Sequence, residues 1–181
     1  MQIDGATALH IASQKGDVTC IKKLLASRAN LDVTSTNGST PLHAAAGEGR
    51  SHAVQMLVSA GASIDATDKV NGSTPLSKAI ENGHTHTAKA LLALGASVHN
   101  AAVGKHLPRI KIKFDFFLIA KAGGVTPLHI ASLKGNTEVI GALLDAGASI
   151  SKETDEGYTA LLIARRFGHD DAASMLVVAQ N

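Results

Sequence analysis

Nine histidines and a single cysteine are the residues of this 181-residue chain whose types are best suited to chemistry. Histidine can ligate a metal or move a proton near neutral pH, and a thiolate can act as a nucleophile. Spacing argues against each use here. His10, His43 and His129 each close a recurring tetrapeptide, Thr-Ala-Leu-His or Thr-Pro-Leu-His, and read as residues serving that repeat. His84 and His86 fall at the start of a short helix. Two positions apart they point to different sides, so a shared ligand site is not expected. His52, His99 and His169 read as surface residues. Cys20 aligns with Val139 in the repeat register and reads as a small buried hydrophobe, with no His or acid placed beside it.

The remaining suggestive pairs also have plainer readings. Asp155-Glu156 and Asp170-Asp171 fall at exposed positions, the second pair at a helix N-terminus where acids are favoured. Gly104-Lys105 has the end of a phosphate loop but not its beginning: His99 stands where the earlier Gly is required, and no Ser or Thr follows. Asn37-Gly38-Ser39 and Asn71-Gly72-Ser73 match the glycosylation acceptor pattern, yet Asn-Gly is also the dipeptide of a tight turn. The expectation is a chain that is not an enzyme and holds no cofactor or metal.

The elements behind these residues follow a period. The motif occurs at Thr7-Ala8-Leu9-His10, Thr40-Pro41-Leu42-His43, Thr74-Pro75-Leu76-Ser77 and Thr126-Pro127-Leu128-His129, with a degenerate copy at Thr159-Ala160-Leu161-Leu162. The threonines stand 33, 34, 52 and 33 residues apart. A fixed period near 33 marks a stacked repeat protein. Within one unit, Thr40 suits a helix N-cap and Pro41 the first helical position, where its missing N–H costs nothing. Leu42, Ala45 and Ala46 follow at helical spacing, and Gly49 breaks the helix. A second helix is expected over about 51–60, with Val54, Leu57 and Val58 on one face. Gly61 stands where a left-handed residue ends a helix, and a polar stretch runs on to Asn71-Gly72. Gly95 and Gly147 repeat that stop; Gly16, Gly83, Gly135 and Gly168 repeat the break. A lone pair of short helices cannot bury its apolar face, whereas stacked pairs can.

The Thr-Pro-Leu-His tetrapeptides, Gly83-His84 and Gly168-His169, and the run from Leu143-Leu144 to Gly147-Ala148 resemble the ankyrin repeat family. The resemblance implies an all-α solenoid of five helix-turn-helix units with hairpin-like loops and one insertion after the third. The units span about 4–37, 38–71, 72–103, 124–156 and 157–181, in a single domain. In the family the motif His bonds the Thr and the backbone of an adjacent unit, so the third and fifth units, with Ser77 and Leu162, are expected to be looser. Arg28 stands where the family has Gly, so a left-handed non-Gly residue is expected there, at a cost of roughly 1 kcal/mol.

The resemblance also implies protein binding through a concave groove lined by loop tips and first-helix ends. Carried onto this chain, the candidate contacts are Asn37, Ser39, Glu48, Asn71, Ser73, Glu81, Asn82, Val125, Leu133, Lys134, Tyr158, Arg166 and Phe167. Leu133, Tyr158, Arg166 and Phe167 form the sharpest expected cluster; Tyr and Arg are favoured anchors. A further repeat packing on Tyr158 and Phe167 is the competing explanation of that cluster.

The long gap exceeds the period by about 19 residues, which places an insertion over about 104–123. It holds three of the four Phe residues (Phe114, Phe116 and Phe117), with five basic residues and one acid. Residues 109–116 alternate polar and apolar, which is strand period. Three readings stand open. It is a loop that contributes to binding, or a basic aromatic patch for a membrane surface or acidic partner, or a translated intron. On the last reading, codons for Gly104-Lys105 can contain an intron start, and those for residues 116–123 a pyrimidine tract ending in CAG.

Composition excludes more than it selects. Hydrophobic residues make up 45% but aromatics only 3%, without Trp, which suits thin layers of short aliphatic helices. The net charge of +2 gives no field for nucleic acid. One cysteine leaves no internal disulfide. The start Met-Gln-Ile-Asp-Gly is not a signal peptide, and no 18-residue apolar window exists. The expectations are a protein partner, no nucleic acid, no membrane contact outside the insertion, a monomer, and a cytoplasmic or nuclear location. Beginning and ending in repeat phase fits either a short protein or a piece of a longer one. The function implied is a scaffold or adaptor, the alternative a regulatory ankyrin segment of a larger protein such as a channel or kinase.

Overall fold

The computed structural model describes residues 5–100 and 123–180. The described residues form ten helices in consecutive pairs: α1 Ala8–Lys15 with α2 Val18–Ala26, α3 Pro41–Gly47 with α4 Ser51–Ser59, α5 Pro75–Glu81 with α6 Thr85–Ala93, α7 Pro127–Lys134 with α8 Thr137–Asp145, and α9 Ala160–Arg166 with α10 Asp170–Ala179. No strand is assigned among them, only an isolated antiparallel bridge between Glu153 and Thr159. The insertion over 104–123, apart from Gly123, lies outside the described residues, as does its expected strand pattern.

Each first helix starts the same way for the same reason. Thr7, Thr40, Thr74, Thr126 and Thr159 all hold extended backbone, with ψ from 162 to 170°. That geometry turns the hydroxyl toward the free N–H groups of the first turn. At four of the five, the third helical residue reaches back to the Thr N–H and closes a capping box: His10, His43, Ser77 and His129. The box needs only an acceptor at that position. Ser77 supplies one, taking the Thr74 N–H at 3.3 Å and meeting its hydroxyl at 2.9 Å. The N-cap of the third unit is therefore kept without His, a matter separate from the link to the following loop that His10 and His129 make.

The second helices stop on left-handed residues. Gly61, Gly95 and Gly147 have φ of 97, 92 and 85°, and Arg28 adopts 57° at the same place. The reason lies in the backbone: Gly61 N–H donates to Val58 O, and Ala62 N–H to Leu57 O, satisfying two orphan carbonyls. Around Arg28 the pattern is identical, with Arg28 N–H on Leu25 O and Ala29 N–H on Leu24 O.

The contacts divide the chain into two compact units. The first comprises Met1–Lys69 and Thr74–Ala96 and so holds α1 to α6. In it α1 packs on α3 and α3 on α5, while α4 packs on α6. Its core is aliphatic: Leu9, Leu42 and Leu76 from the first helices, Ile21, Val54, Leu57 and Leu91 from the second, all buried. The second unit comprises Val70–Ser73 and Ser97–Asn181 and holds α7 to α10, with α7 on α9 and α8 on α10. Leu128, Ile130, Ile140, Leu143, Ile163 and Leu176 fill its core.

Candidate functional site

Hydrogen bonds between consecutive pairs set the frame on which any binding surface rests. In His10 the Nδ1 atom accepts the Thr7 N–H at 3.1 Å, so the ring proton must sit on Nε2, which donates to Ser39 O at 2.8 Å. His129 does the same, with Nδ1 accepting the Thr126 N–H and Nε2 donating to Lys152 O at 3.0 Å. These rings are neutral linkers from one first helix to the next loop. Burial holds the His129 pKa below its ordinary value, opposed by its hydrogen bond to the Lys152 carbonyl.

A second set of links runs backward. Arg50 Nε donates to Gln14 O at 3.1 Å, His84 Nε2 to Gly47 O at 3.0 Å, and His169 Nε2 to Leu133 O at 3.0 Å. Each residue opens a second helix and reaches the last turn of the preceding first helix. His169, expected on the surface, is half-buried in this role. The rings lie where the preceding glycine has no side chain: a Cβ on Gly49 would come within 2.7 Å of His84 Nδ1, and one on Gly135 within 2.5 Å of His169 Nδ1. The Gly-His pairs that mark the sequence thus have their bonding partners in the unit before. His52, His86 and His99 are exposed.

In the first unit the loops and first helices shape an open cleft lined by Ala6, His10, Ile11, Gln14, Ser35, Asn37, Ser39, His43, Ala44 and Lys78. Its loop wall is a tight turn, with Ser35 N–H donating to Ser39 O and Gly38 N–H to Ser35 O. Asn37 Oδ1 accepts from Ser35 Oγ and from Ser39 N–H, so the exposed amide is held in place. Its carbonyl accepts the Lys69 N–H at 3.0 Å, joining this loop to the next. Beside the cleft, Gln14 Nε2 donates to Glu48 Oε1 at 3.4 Å and Asn82 Nδ2 to Gly47 O at 2.6 Å; Glu48 and Asn82 are exposed. Ile11 is 38% exposed among these polar groups.

Several expected contact residues are not at the surface. Glu81 and Asp68 are buried and share Lys78, whose Nζ lies 3.8 Å from Glu81 Oε2 and 3.2 Å from Asp68 Oδ2. Glu81 stands one turn after Lys78 on α5, so the ion pair draws it inward. Asn71 and Ser73 are buried in the loop that delivers Thr74 to α5, and Val125 is buried just before Thr126. Leu133 is buried too: its apolar side chain belongs to α7, which packs on α9. In the second unit Lys134 and Arg166 are exposed and Tyr158 and Phe167 half-buried. The Arg166 guanidinium lies 5.9 Å from the Tyr158 ring centre, a cation–π distance. Of the expected cluster, Tyr158 and Arg166 meet and Leu133 does not stand at the surface with them. Ile11, Ala44 and Lys78 were missed, although the slot after the motif His varies between units and is where the signal lay.

Cys20 is exposed, contrary to its expected burial. The same slot in the next two pairs, Ala53 and Thr87, is buried. The Asp17 carboxylate pushes the thiol pKa up, so the thiol is a poor nucleophile at neutral pH. Among the described residues no group of three His, Cys, Asp or Glu is placed to hold a metal, and no helix is long and apolar enough to cross a membrane.

Comparison with known proteins converges on this arrangement. The E3 ubiquitin-protein ligase XBAT33 of Arabidopsis thaliana is 40% identical over 57 residues, covering 31% of this chain and 11% of the ligase. Protein phosphatase 1 regulatory subunit 12A of Mus musculus is 41% identical over 58 residues, 32% of this chain and 6% of that protein. A putative ankyrin repeat protein of Neisseria meningitidis serogroup B is 42% identical over 62 residues, 34% of this chain and 24% of its own length. The chain thus covers a quarter or less of each of these relatives. The family described as ankyrin repeats (3 copies) matches residues 9–102 and 99–181. With Thr-capped first helices, glycine-ended second helices and His-linked loops in the same register, the chain belongs to the ankyrin repeat family, whose repeats are non-catalytic protein-interaction modules.

Proposed function

We propose that this chain is a scaffold or adaptor that binds a segment of a partner protein in the cleft between its loops and first helices. The observation that carries the reading is the cleft of the first unit. Its walls are held by hydrogen bonds within the fold, while Ile11, Gln14, Asn37, Glu48 and Lys78 present apolar, polar and charged groups side by side. A preformed surface loses little freedom on binding, so even a modest contact area yields affinity. In the second unit Lys134, Tyr158, Arg166 and Phe167 are the candidate contacts.

A second reading, a regulatory ankyrin segment of a larger protein, draws support from relatives much longer than the region they share with this chain. Affinity capture from the source lysate tests the first reading, with three baits: the full chain, the chain lacking 105–123, and an Ile11→Glu, Asn37→Arg variant; a transcript whose reading frame continues into a further domain would favour the second. Scaffold binding predicts partners retained by the deletion and lost by the double variant. Partners retained by the double variant remove the cleft from the account, and loss on deletion moves binding to the inserted segment.

A further inference from the structure

A groove of about 500 Å³ runs between α2 and α4 and shares no lining residue with the cleft. Its walls are consecutive second helices of the first unit, so it does not owe its opening to an end of the stack. α2 packs on α4 less closely than α4 does on α6. The slot that faces the preceding second helix holds Ala90 in α6 but Met56 in α4, and the longer side chain keeps α2 at a distance. Val18 and Leu25 of α2 line the groove with Met56, all three half-buried. A flexible thioether among them lets the surface adapt to an occupant.

Charge says what that occupant carries. Lys22 and His52 stand exposed along the groove. Through Val18 and His52 it continues into a depression lined by Lys15 and Arg50. Arg50 Nε donates to Gln14 O at 3.1 Å, which fixes the guanidinium there. Among the described residues no acid lines either part, and Lys15, Lys22 and Arg50 make no ion pair. The acids that flank α2 already have partners: Asp17 accepts the Cys20 N–H and Asp32 the Ser63 N–H, each at 2.9 Å. In α10 the slot of His52 holds Asp171, so the basic character belongs to this groove and not to the repeat.

We propose that the groove between α2 and α4 is a second docking surface, for an acidic segment of a partner protein that also carries apolar side chains. The apolar groups pack on Val18, Leu25 and Met56, while carboxylates meet Lys22 along the groove and Lys15 and Arg50 at its end. Complementary charge selects the partner and fixes its register. A recessed floor between two helices receives a chain segment, whereas a flat lipid surface meets only the side chains that protrude.

The test is the affinity of the full chain for a short capped peptide of leucines and glutamates. It is compared with the same peptide carrying lysines for glutamates, and with one carrying serines for leucines. The first is expected to bind about tenfold tighter or more than either of the others, a difference of ~1.4 kcal/mol or greater. Lys22→Glu removes that advantage. Lys152→Glu, the same charge change at an exposed site in the second unit, keeps it, as does Asn37→Arg in the cleft. Lys22 and Lys152 are exposed, so urea midpoints of both variants should stay close to that of the wild-type chain. Equal affinity for the three peptides, no binding of any, a preference that survives Lys22→Glu, or one that Lys152→Glu also removes overturns the proposal. Binding to phosphatidylserine vesicles in place of the peptide, or self-association, that Lys22→Glu abolishes also overturns it and gives the groove to lipid or to a second copy of the chain.

Discussion

Replacing Gly49 by Ala tests the backward link directly, because the fold supplies its own control at Gly83. Both residues break a first helix from a second, with φ of 69 and 77°. A Cβ at either position suffers the left-handed backbone, a cost of about 1 kcal/mol. At Gly83 nothing lies within 4 Å of that Cβ. At Gly49 it meets His84 Nδ1 at 2.7 Å and Cγ at 2.9 Å, closer than real contacts come. The ring must swing away, and its Nε2 loses the 3.0 Å bond to Gly47 O. A hydrogen bond of this kind contributes about 1 kcal/mol. Gly83→Ala is therefore expected to cost about 1 kcal/mol and Gly49→Ala about 2 kcal/mol or more. In a His84→Ala background the ring is gone, and Gly49→Ala should fall to the Gly83→Ala cost, leaving a coupling of about 1 kcal/mol between the two residues. Urea unfolding followed by circular dichroism measures all four variants. Equal costs for Gly49→Ala and Gly83→Ala, or a cycle that closes to zero, would refute the idea that glycine is retained at 49 to admit the ring.

Burial holds the His129 pKa below its ordinary value of 6.5, so the unfolded chain binds a proton that the folded chain resists. Its stabilisation is then full above that ordinary value and is lost as pH falls through it toward the depressed folded value. Urea midpoints from pH 8 to 5 should drop more steeply for the wild-type chain than for His129→Gln. Arg28→Gly relieves the φ of 57° and should stabilise by about 1 kcal/mol, read from the same unfolding curves. Lys78→Met removes the cation shared by buried Asp68 and Glu81 and should destabilise by about 2 kcal/mol, less than for a fully buried pair because Lys78 is partly open to water. Cys20 should titrate fully with a thiol reagent in the native chain, more slowly than an unperturbed thiol; protection until unfolding would contradict its exposure.

Most of the framework is legible in the sequence, because it is written in local backbone requirements. A Thr at an N-cap, a Pro at the first helical position and a Gly where φ must be positive act within a few residues of themselves, so their spacing alone reveals helices, ends and period. Arg28 was legible for the same reason: it stands in a slot whose backbone demand is set by its neighbours. At Ser77 the cap itself asks only for an acceptor, which a hydroxyl supplies as well as a ring nitrogen does.

The surface was another matter. Sequence alone, through its period, determined that this chain builds stacked helix pairs and which residues cap and end them. Tertiary structure alone decided which side chains are left for a partner. Glu81 turned inward to Lys78, Leu133 packed away, Cys20 lay open, and His84 and His169 became links to the pair before. The physical reason is that exposure in a stacked repeat depends on what the neighbouring unit covers. One slot can be surface in one pair and core in the next two, as Cys20 is against Ala53 and Thr87, with no change in local secondary structure to announce it.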